Sequence, residues 1–463
     1  MRLLTLLLIA LTLTARAATP PNIIYILVDD LGATDLGCTG SKFYETPHLD
    51  RLAKDGVRFT HAYSACTVCS PTRASFLTGR NPAALRVTDW IAGQQRPFAK
   101  LKMPDWTQEL RATETTLPTL LKQAGYATAS IGKWHLGPAG PTERGFDLNL
   151  GGTEKGQPPS YFSPYKIATL PDGPAGEFLT DRLTSEVEKF IETHKERPFF
   201  IYLPHYAVHT PLMGKPEVVA KYQAKATPDN PQHTPTYAAL VESVDDSVGR
   251  IRAKLDALGL SQNTVIVFTS DNGGLILNQV TSNLGLRDGK GSAYEGGVRI
   301  PLIYCWPGKL QPREVAEPVI TADNFYTLLE LAGAATPPTG DYRSLTPALT
   351  GAGAIAPRDF HWHYPHYHSG GATPYSSVRS GDYKLIAFFE DSRLELYDLQ
   401  ADPEEKTNLV PAEPARAEEM RRKLAAWWME VGAQLPTPNP DHDAARDAAP
   451  KRKPQPPGIT PPP

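Results

Sequence analysis

The stretch NIIYILVDD, residues 22–30, decides the fold: an unbroken strand-favouring run from Asn22 to Val28 passes directly into two aspartates. A short continuous apolar run marks a strand covered on both faces, as in a parallel sheet between layers of helices. Three further runs repeat the pattern. Tyr126–Ile131 (YATASI) leads into Gly132-Lys133-Trp134-His135, and Phe199–Leu203 (FFIYL) into Pro204-His205-Tyr206-Ala207-Val208-His209. Thr264–Thr269 (TVIVFT) leads into Ser270-Asp271-Asn272-Gly273-Gly274. Helical patterns separate these runs, so the expected fold is α/β, with a mostly parallel central sheet flanked by helices. Open α/β sheets bind ligands outside the carboxyl ends of their strands. Here four such ends carry chemically capable residues.

Those residues fall into two sets. Asp29, Asp30, Asp271 and Asn272 offer only oxygen donors, which suit calcium or magnesium rather than zinc; either pair alone could instead cap a helix or turn, a reading that two such pairs after two strands disfavour. Lys133, His135, His209 and Lys290 supply cations and proton donors. Lys290 lies in the glycine-punctuated segment LRDGKGSAYEGGVRIP, where the backbone can approach a ligand closely. His48, His61, His194, His233 and His442 lie outside such motifs and read as packed or surface residues.

A second stretch, CSPTRASFLTGR (Cys69–Arg80), places a cysteine at a helix entrance. Pro71 suits a first helical turn and Gly79 a C-terminal stop. An anionic group at Cys69 would face the positive end of the helix dipole. Cys66 and Cys69 form a CxxC, but the chain has four cysteines and no second such pair, which argues against a zinc ribbon. With Cys69 set aside, Cys38, Cys66 and Cys305 allow one disulfide at most.

The chain has 463 residues, 41% hydrophobic, with 47 basic and 50 acidic residues. Its length allows a large core and two unequal domains. The charge balance gives no footprint for nucleic acid or anionic lipid. Residues 1–17 combine Arg2, an apolar run and an A-x-A site, the pattern of a secretory signal peptide. No later apolar run reaches transmembrane length. The expectation is an exported, periplasmic or secreted protein without a membrane span.

The pattern C-x-P-x-R followed by L-T-G-R resembles the signature of the type I, formylglycine-dependent sulfatases, arylsulfatase-like enzymes of the alkaline phosphatase superfamily. TPHLDRLAKDGVRFTHAY, GYATASIGKWHLG, AVHTP, SDNGG and KGSAYEGGVRIP resemble further blocks of that family in its order. VRSGDYKLI and ELYDLQADPEEKTNL resemble its small terminal sheet and closing segment. Thr72 stands where the family usually has serine. The resemblance implies that Cys69 is oxidised to formylglycine (3-oxoalanine) by a formylglycine-generating maturation enzyme and that its hydrate is the nucleophile. It implies one divalent cation, calcium in preference to magnesium, ligated by Asp29, Asp30, Asp271, Asn272 and the modified Cys69. Arg73 would hold the hydrate, Lys133 and Lys290 the sulfate oxygens; His135 would act on the second hydroxyl and His209 on the leaving oxygen. The implied activity is sulfate ester hydrolysis on a carbohydrate. The alternatives are a phosphodiester or phosphonate monoester hydrolase of the same superfamily, and a non-catalytic glycan-binding protein.

The sequence divides into residues 1–17 (signal peptide), 18–350 (catalytic domain), 351–433 (a subdomain with a small antiparallel sheet and a helix) and 434–463 (a tail). Ten of the 28 residues from Pro436 to Pro463 are proline, which predicts a disordered tail. Tyr237–Leu258 has the spacing of a core-facing helix. The segment FHWHYPHYHSGG holds His361, His363, His366 and His368 among four aromatics. It reads as a sugar-binding wall, as a metal-binding histidine tract, or as a strand carrying aromatics into a core. Trp90–Leu110 reads equally as a substrate loop or a surface excursion.

Overall fold

The computed structural model describes residues 20–338 and 342–447. The expected signal peptide lies outside the described residues. In chain order the strands are β1 (Asn22–Val28), β2 (Val57–Tyr63), β3 (Leu101–Lys102), β4 (Ala127–Ile131) and β5 (Leu148–Leu150). Then come β6 (Phe199–Pro204), β7 (Thr264–Ser270), β8 (Arg299–Cys305), β9 (Arg313–Val315) and β10 (Val319–Ile320). The last five are β11 (Phe360–Tyr364), β12 (Tyr375–Ser380), β13 (Tyr383–Phe388), β14 (Leu394–Asp398) and β15 (Thr437–Pro438).

A nine-stranded sheet runs β10-β2-β8-β7-β1-β6-β4-β5, with β9 beside β2. Its pairs are parallel except those of β8 with β2 and β7. β1 lies between β6 and β7, and its residues alternate between two cores. Ile24, Ile26 and Val28 pack with Leu240, Val244, Val248 and Ile251 of the helix Pro235–Ala257. Ile23, Tyr25 and Leu27 pack on the opposite face with Phe76 and Leu77 of the helix Cys69–Thr78. Burial on both faces explains why β1 is apolar throughout instead of alternating. No helix among the described residues is long and apolar enough to cross a membrane.

β11 to β14 form a separate antiparallel meander. The helix Pro414–Val431 covers one face, with Met420, Leu424 and Trp427 packed on Val378, Leu385 and Leu396. Residues 437–447 differ from the expected disordered tail. β15 pairs with β3, Asn439 Nδ2 donates to the carbonyls of Pro97 and Ala99, and Asp447 ion-pairs with Arg96 at 2.8 Å. Proline cannot donate to a ladder, but its carbonyl accepts and the asparagine and aspartate side chains supply the other contacts. The same contacts fasten the Trp90–Leu110 segment to the chain's C-terminal part.

The small sheet is fixed to the large domain by a buried ionic cluster. Lys384 Nζ of β13 lies 3.1 Å from Glu295 Oε1 and 3.1 Å from Glu405 Oε1, and all three side chains are fully buried. Tyr63 donates to Glu295 and accepts from Arg379, joining β2 to β12. Removing one partner of a buried ion cluster leaves uncompensated charge, at a cost of about 3–5 kcal/mol. Lys384→Met should therefore lose about that much stability in urea denaturation; a loss below about 1 kcal/mol would show that the cluster does not hold the two sheets together.

Candidate active site

The four strand ends identified in the sequence converge on one point. Asp29 and Asp30 follow β1, Asp271 and Asn272 follow β7, Lys133 and His135 follow β4, and His209 follows β6. Close backbone approach fixes the convergence. Gly132 has φ +129°, and a Cβ there would stand 2.1 Å from Pro204 O; one at Gly273 would stand 1.8 Å from Gly296 O. Backbone bonds between Asp29 N and Ala207 O, and between Val208 N and Asp29 O, tie the β1 and β6 ends together.

Cys69 opens the helix Cys69–Thr78, and Arg73 lies one turn later on the same side. Gly79 ends the helix at φ 65°. Arg73 donates through Nε (2.9 Å) and Nη2 (2.7 Å) to Asp271 Oδ2. Lys133 Nζ lies 2.5 Å from Asp29 Oδ2, and Lys290 Nζ 2.7 Å from Asp30 Oδ1. Cys69 Sγ is 3.3 Å from Asp29 Oδ1 and 3.5 Å from Lys290 Nζ. Three carboxylates thus face three cations, nearly all fully buried.

The shifts follow from that balance. Burial raises the Asp29 pKa, but Lys133, His209 and Arg73 outweigh it and hold the carboxyl well below its usual range. Asp271 is pushed up to about 6 by burial and by the neighbouring Asp29. Burial, with Asp271 and Asp29 beside it, pushes the Cys69 thiol above its ordinary value. A plain thiolate nucleophile is therefore disfavoured at this position.

The two histidines are oriented by backbone. His135 Nε2 lies 2.5 Å from Ile91 O, so it carries the ring proton, and Nδ1 is buried without a hydrogen-bond partner. Burial and the adjacent Lys133 hold this ring neutral. Ser70 braces the pair, donating to His135 O (2.8 Å) and accepting from Ile91 N (3.1 Å). His209 Nδ1 lies 2.7 Å from Thr210 O, and its Nε2 lies 3.7 Å from Asp30 Oδ2. Tyr161 donates to the carbonyls of Tyr206 and His209 and fixes that loop.

The acidic residues here could hold a metal ion. Ligand atoms of Asp29, Asp30, Cys69 and His209 all lie within 4.8 Å of one another. Asn272 donates from Nδ2 to Asp30 Oδ1 and Gly273 O, while its Oδ1 is buried with no donor. An orphaned buried carbonyl beside three carboxylates is an arrangement that a divalent cation satisfies.

All ten residues of the expected metal and catalytic set therefore meet. The histidine segment divides. His361 and His363 lie on the face of β11 turned to the helix Pro414–Val431: His361 stacks on Trp427 at 4.7 Å, and His363 bonds Ser376 Oγ and Gln434 O. His366 bonds Thr88 Oγ1. None of these three lines the hollow at Lys290; His361 and His363 share one face of β11 by strand alternation, and His366 lies beyond the end of that strand. His368 alone lies beside Lys290, along one hollow. All four cysteines are free, and Cys66 is not bonded to Cys69. Ser70 and the carbonyl of Ile91 were missed; the serine stands within the C-S-P-T-R motif, but a backbone acceptor leaves no trace in sequence.

The sequence matches the Sulfatase family over residues 21–334 and the C-terminal part of N-sulphoglucosamine sulphohydrolases over residues 285–431. It is 33% identical to a "Sulfatase" from Formosa agariphila across 89% of each chain. It is 36% identical to the N-acetylgalactosamine-6-sulfatase of Mus musculus across 70% of this chain and 65% of that one. The crystal structure of Ps i-CgsB in complex with k-i-k-neocarrahexaose superimposes with a TM-score of 0.76 at 28% identity, over 94% of this chain and 98% of that one. With the convergent site and these matches together, the chain belongs to the sulfatase family and is a sulfatase.

Proposed function

We propose that the protein removes sulfate from a sulfated carbohydrate, using the hydrate of a formylglycine derived from Cys69. The observation that carries this reading is the setting of Cys69: a buried, protonated thiol at a helix N-terminus, between Asp29 and Lys290. An unmodified thiol is a poor nucleophile there, whereas a gem-diol suits the position. The carbohydrate ester is supported by the galactosamine-6-sulfatase relative and the oligosaccharide-bound structure. Asp29, Asp30, Asp271, Asn272 and the modified residue 69 would hold one calcium ion. Bound there, it would supply positive charge where a nucleophile must meet an anionic ester.

The residues divide the work. One hydroxyl of the hydrate gives its proton to the Asp271 carboxylate and attacks sulfur, and the bond from sulfur to the sugar oxygen breaks with its electron pair on that oxygen. His209, protonated at Nε2, gives the leaving oxygen its proton, with Lys290 close by. Neutral His135 then takes a proton at Nδ1 from the remaining hydroxyl. The carbon–oxygen bond to sulfate breaks, sulfate departs, the aldehyde is restored and water rehydrates it. Lys133 and Lys290 offset charge on the sulfate oxygens, and Arg73 holds Asp271 in place.

The deciding experiment examines protein from its natural host. The tryptic peptide Phe59–Arg73 should show CH₂SH replaced by an aldehyde, the N-terminal peptide should begin near Ala18, and metal analysis should find one calcium per chain. An unmodified thiol, or a Cys66–Cys69 disulfide, would overturn the mechanism. A different bound metal would overturn calcium alone. Turnover of an aryl phosphate in preference to the aryl sulfate would move the activity to phosphoryl esters.

Two variants test the assigned roles. His209→Ala should lose roughly 10²–10⁴-fold on sugar sulfates but much less on 4-nitrophenyl sulfate, whose leaving group needs no proton. Equal losses on both would remove His209 as the acid. Ser70→Ala should lower kcat up to about 10²-fold with little change in KM, because His135 loses its brace while substrate contacts remain. A change confined to KM would show that Ser70 does not act through His135.

A further inference from the structure

The hollow beside Lys290 has a volume of about 380 Å³, near the lower end of the roughly 300–1,000 Å³ of small-molecule sites. It begins one side chain from the nucleophile, because Lys290 Nζ lies 3.5 Å from Cys69 Sγ. Its volume is on the scale of one or two sugar units.

Its lining has a definite chemistry. The His368 ring packs over Gly291, where a Cβ would stand 2.0 Å from Nδ1. Nδ1 accepts the Gly370 N–H at 3.1 Å, so the ring proton of neutral His368 sits on Nε2. Burial and Lys290 lower its pKa to about 4, which keeps it neutral. His368 is thus an uncharged donor. Asp288 lines the same hollow, its Oδ1 accepting the Gly289 N–H at 2.9 Å, and Ile276 and Leu277 offer an apolar face, Ile276 being 37% exposed. Among the described residues Lys290 is the one Lys or Arg in the lining, and it is engaged by Asp30. Arg287, close in sequence, is engaged by Tyr397, Glu405 O and Tyr294.

We propose that this hollow seats an uncharged sugar unit, so that the ester cleaved is carried by a neutral hexose or N-acetylhexosamine rather than by a uronate or a doubly sulfated sugar. The inference rests on the sulfatase reading above. Hydroxyls and ring C–H groups match a neutral donor, a carboxylate acceptor and an apolar face. Among the described lining residues a second anion would meet no further Lys or Arg and would be repelled by Asp288, so the specificity includes a repulsive element. His368 and Asp288 are the residues that set it.

Binding tests this apart from turnover. Cys69→Ala protein, loaded with calcium, is titrated calorimetrically with the 4- and 6-sulfates of galactose, N-acetylglucosamine and N-acetylgalactosamine. The competing probes are glucosamine-2-N,6-O-disulfate and iduronate 2-sulfate. The best neutral sugar sulfate should bind at least about tenfold more tightly than either doubly charged probe. His368→Ala should weaken it about three- to tenfold, and Asp288→Lys should narrow the gap by at least about threefold. Thermal unfolding of each variant reports whether it folds, and either variant alone suffices. Equal or tighter binding of a doubly charged probe, or no binding of any neutral sugar sulfate, overturns the proposal. Failure of converted wild-type protein to hydrolyse 4-nitrophenyl sulfate overturns the hydrolase reading instead, while the binding order still decides the sugar class.

Discussion

The structure depends on the mutual neutralisation of three buried carboxylates and three buried cations. Asp29, Asp30 and Asp271 face Arg73, Lys133 and Lys290 in a cluster that is buried except at Lys290, which is partly exposed. An isolated buried charge is strongly unfavourable, and a paired one is tolerated only with good geometry. The partners come from two strand ends, a third strand-end loop, one helix and one glycine-rich loop. A slip of β1 against β6 or β7 would strand a charge, so the cluster ties the register of the central sheet to the geometry of the site.

Much of this was legible because parallel sheets write themselves into sequence twice, as apolar runs and as the polar residues that end them. NIIYILVDD carries both signals, and so do the runs ending at His135, His209 and Asn272. The remainder was hidden for physical reasons. β8 is an antiparallel strand inside the sheet, and RIPLIYC has no distinctive polar end. The histidines of FHWHYPHYH look alike in sequence, but His361 and His363 lie on β11 against Trp427, while His366 and His368 lie beyond the strand and meet Thr88 and Gly291. Glu295, Lys384 and Glu405 lie far apart along the chain, so nothing local announces that they meet. The proline-rich end looked unstructured by composition, yet within residues 437–447 the backbone and the asparagine and aspartate side chains find partners on residues 96–102.

The small domain serves the site as well as closing the fold. Its meander is anchored through Lys384 on Glu295 and Glu405, and the turn after β11 brings His368 over Gly291 beside Lys290. The large domain supplies the charged residues of the strand ends, while His368, Gly370 and Ala372 of the segment after β11 line the hollow beside Lys290. Substitutions in the small sheet can therefore alter which molecules fit without touching the reacting atoms.

Cys69 is only 1% exposed, beneath the strand ends and against Asp29 and Lys290. A second enzyme has no route to that sulfur once the sheet has closed. On the formylglycine reading, oxidation must happen while the chain is still open, and folding becomes its deadline. A chain that folds too quickly would be well formed and inert, so the yield of working protein is a contest between two rates and not a property of the finished structure.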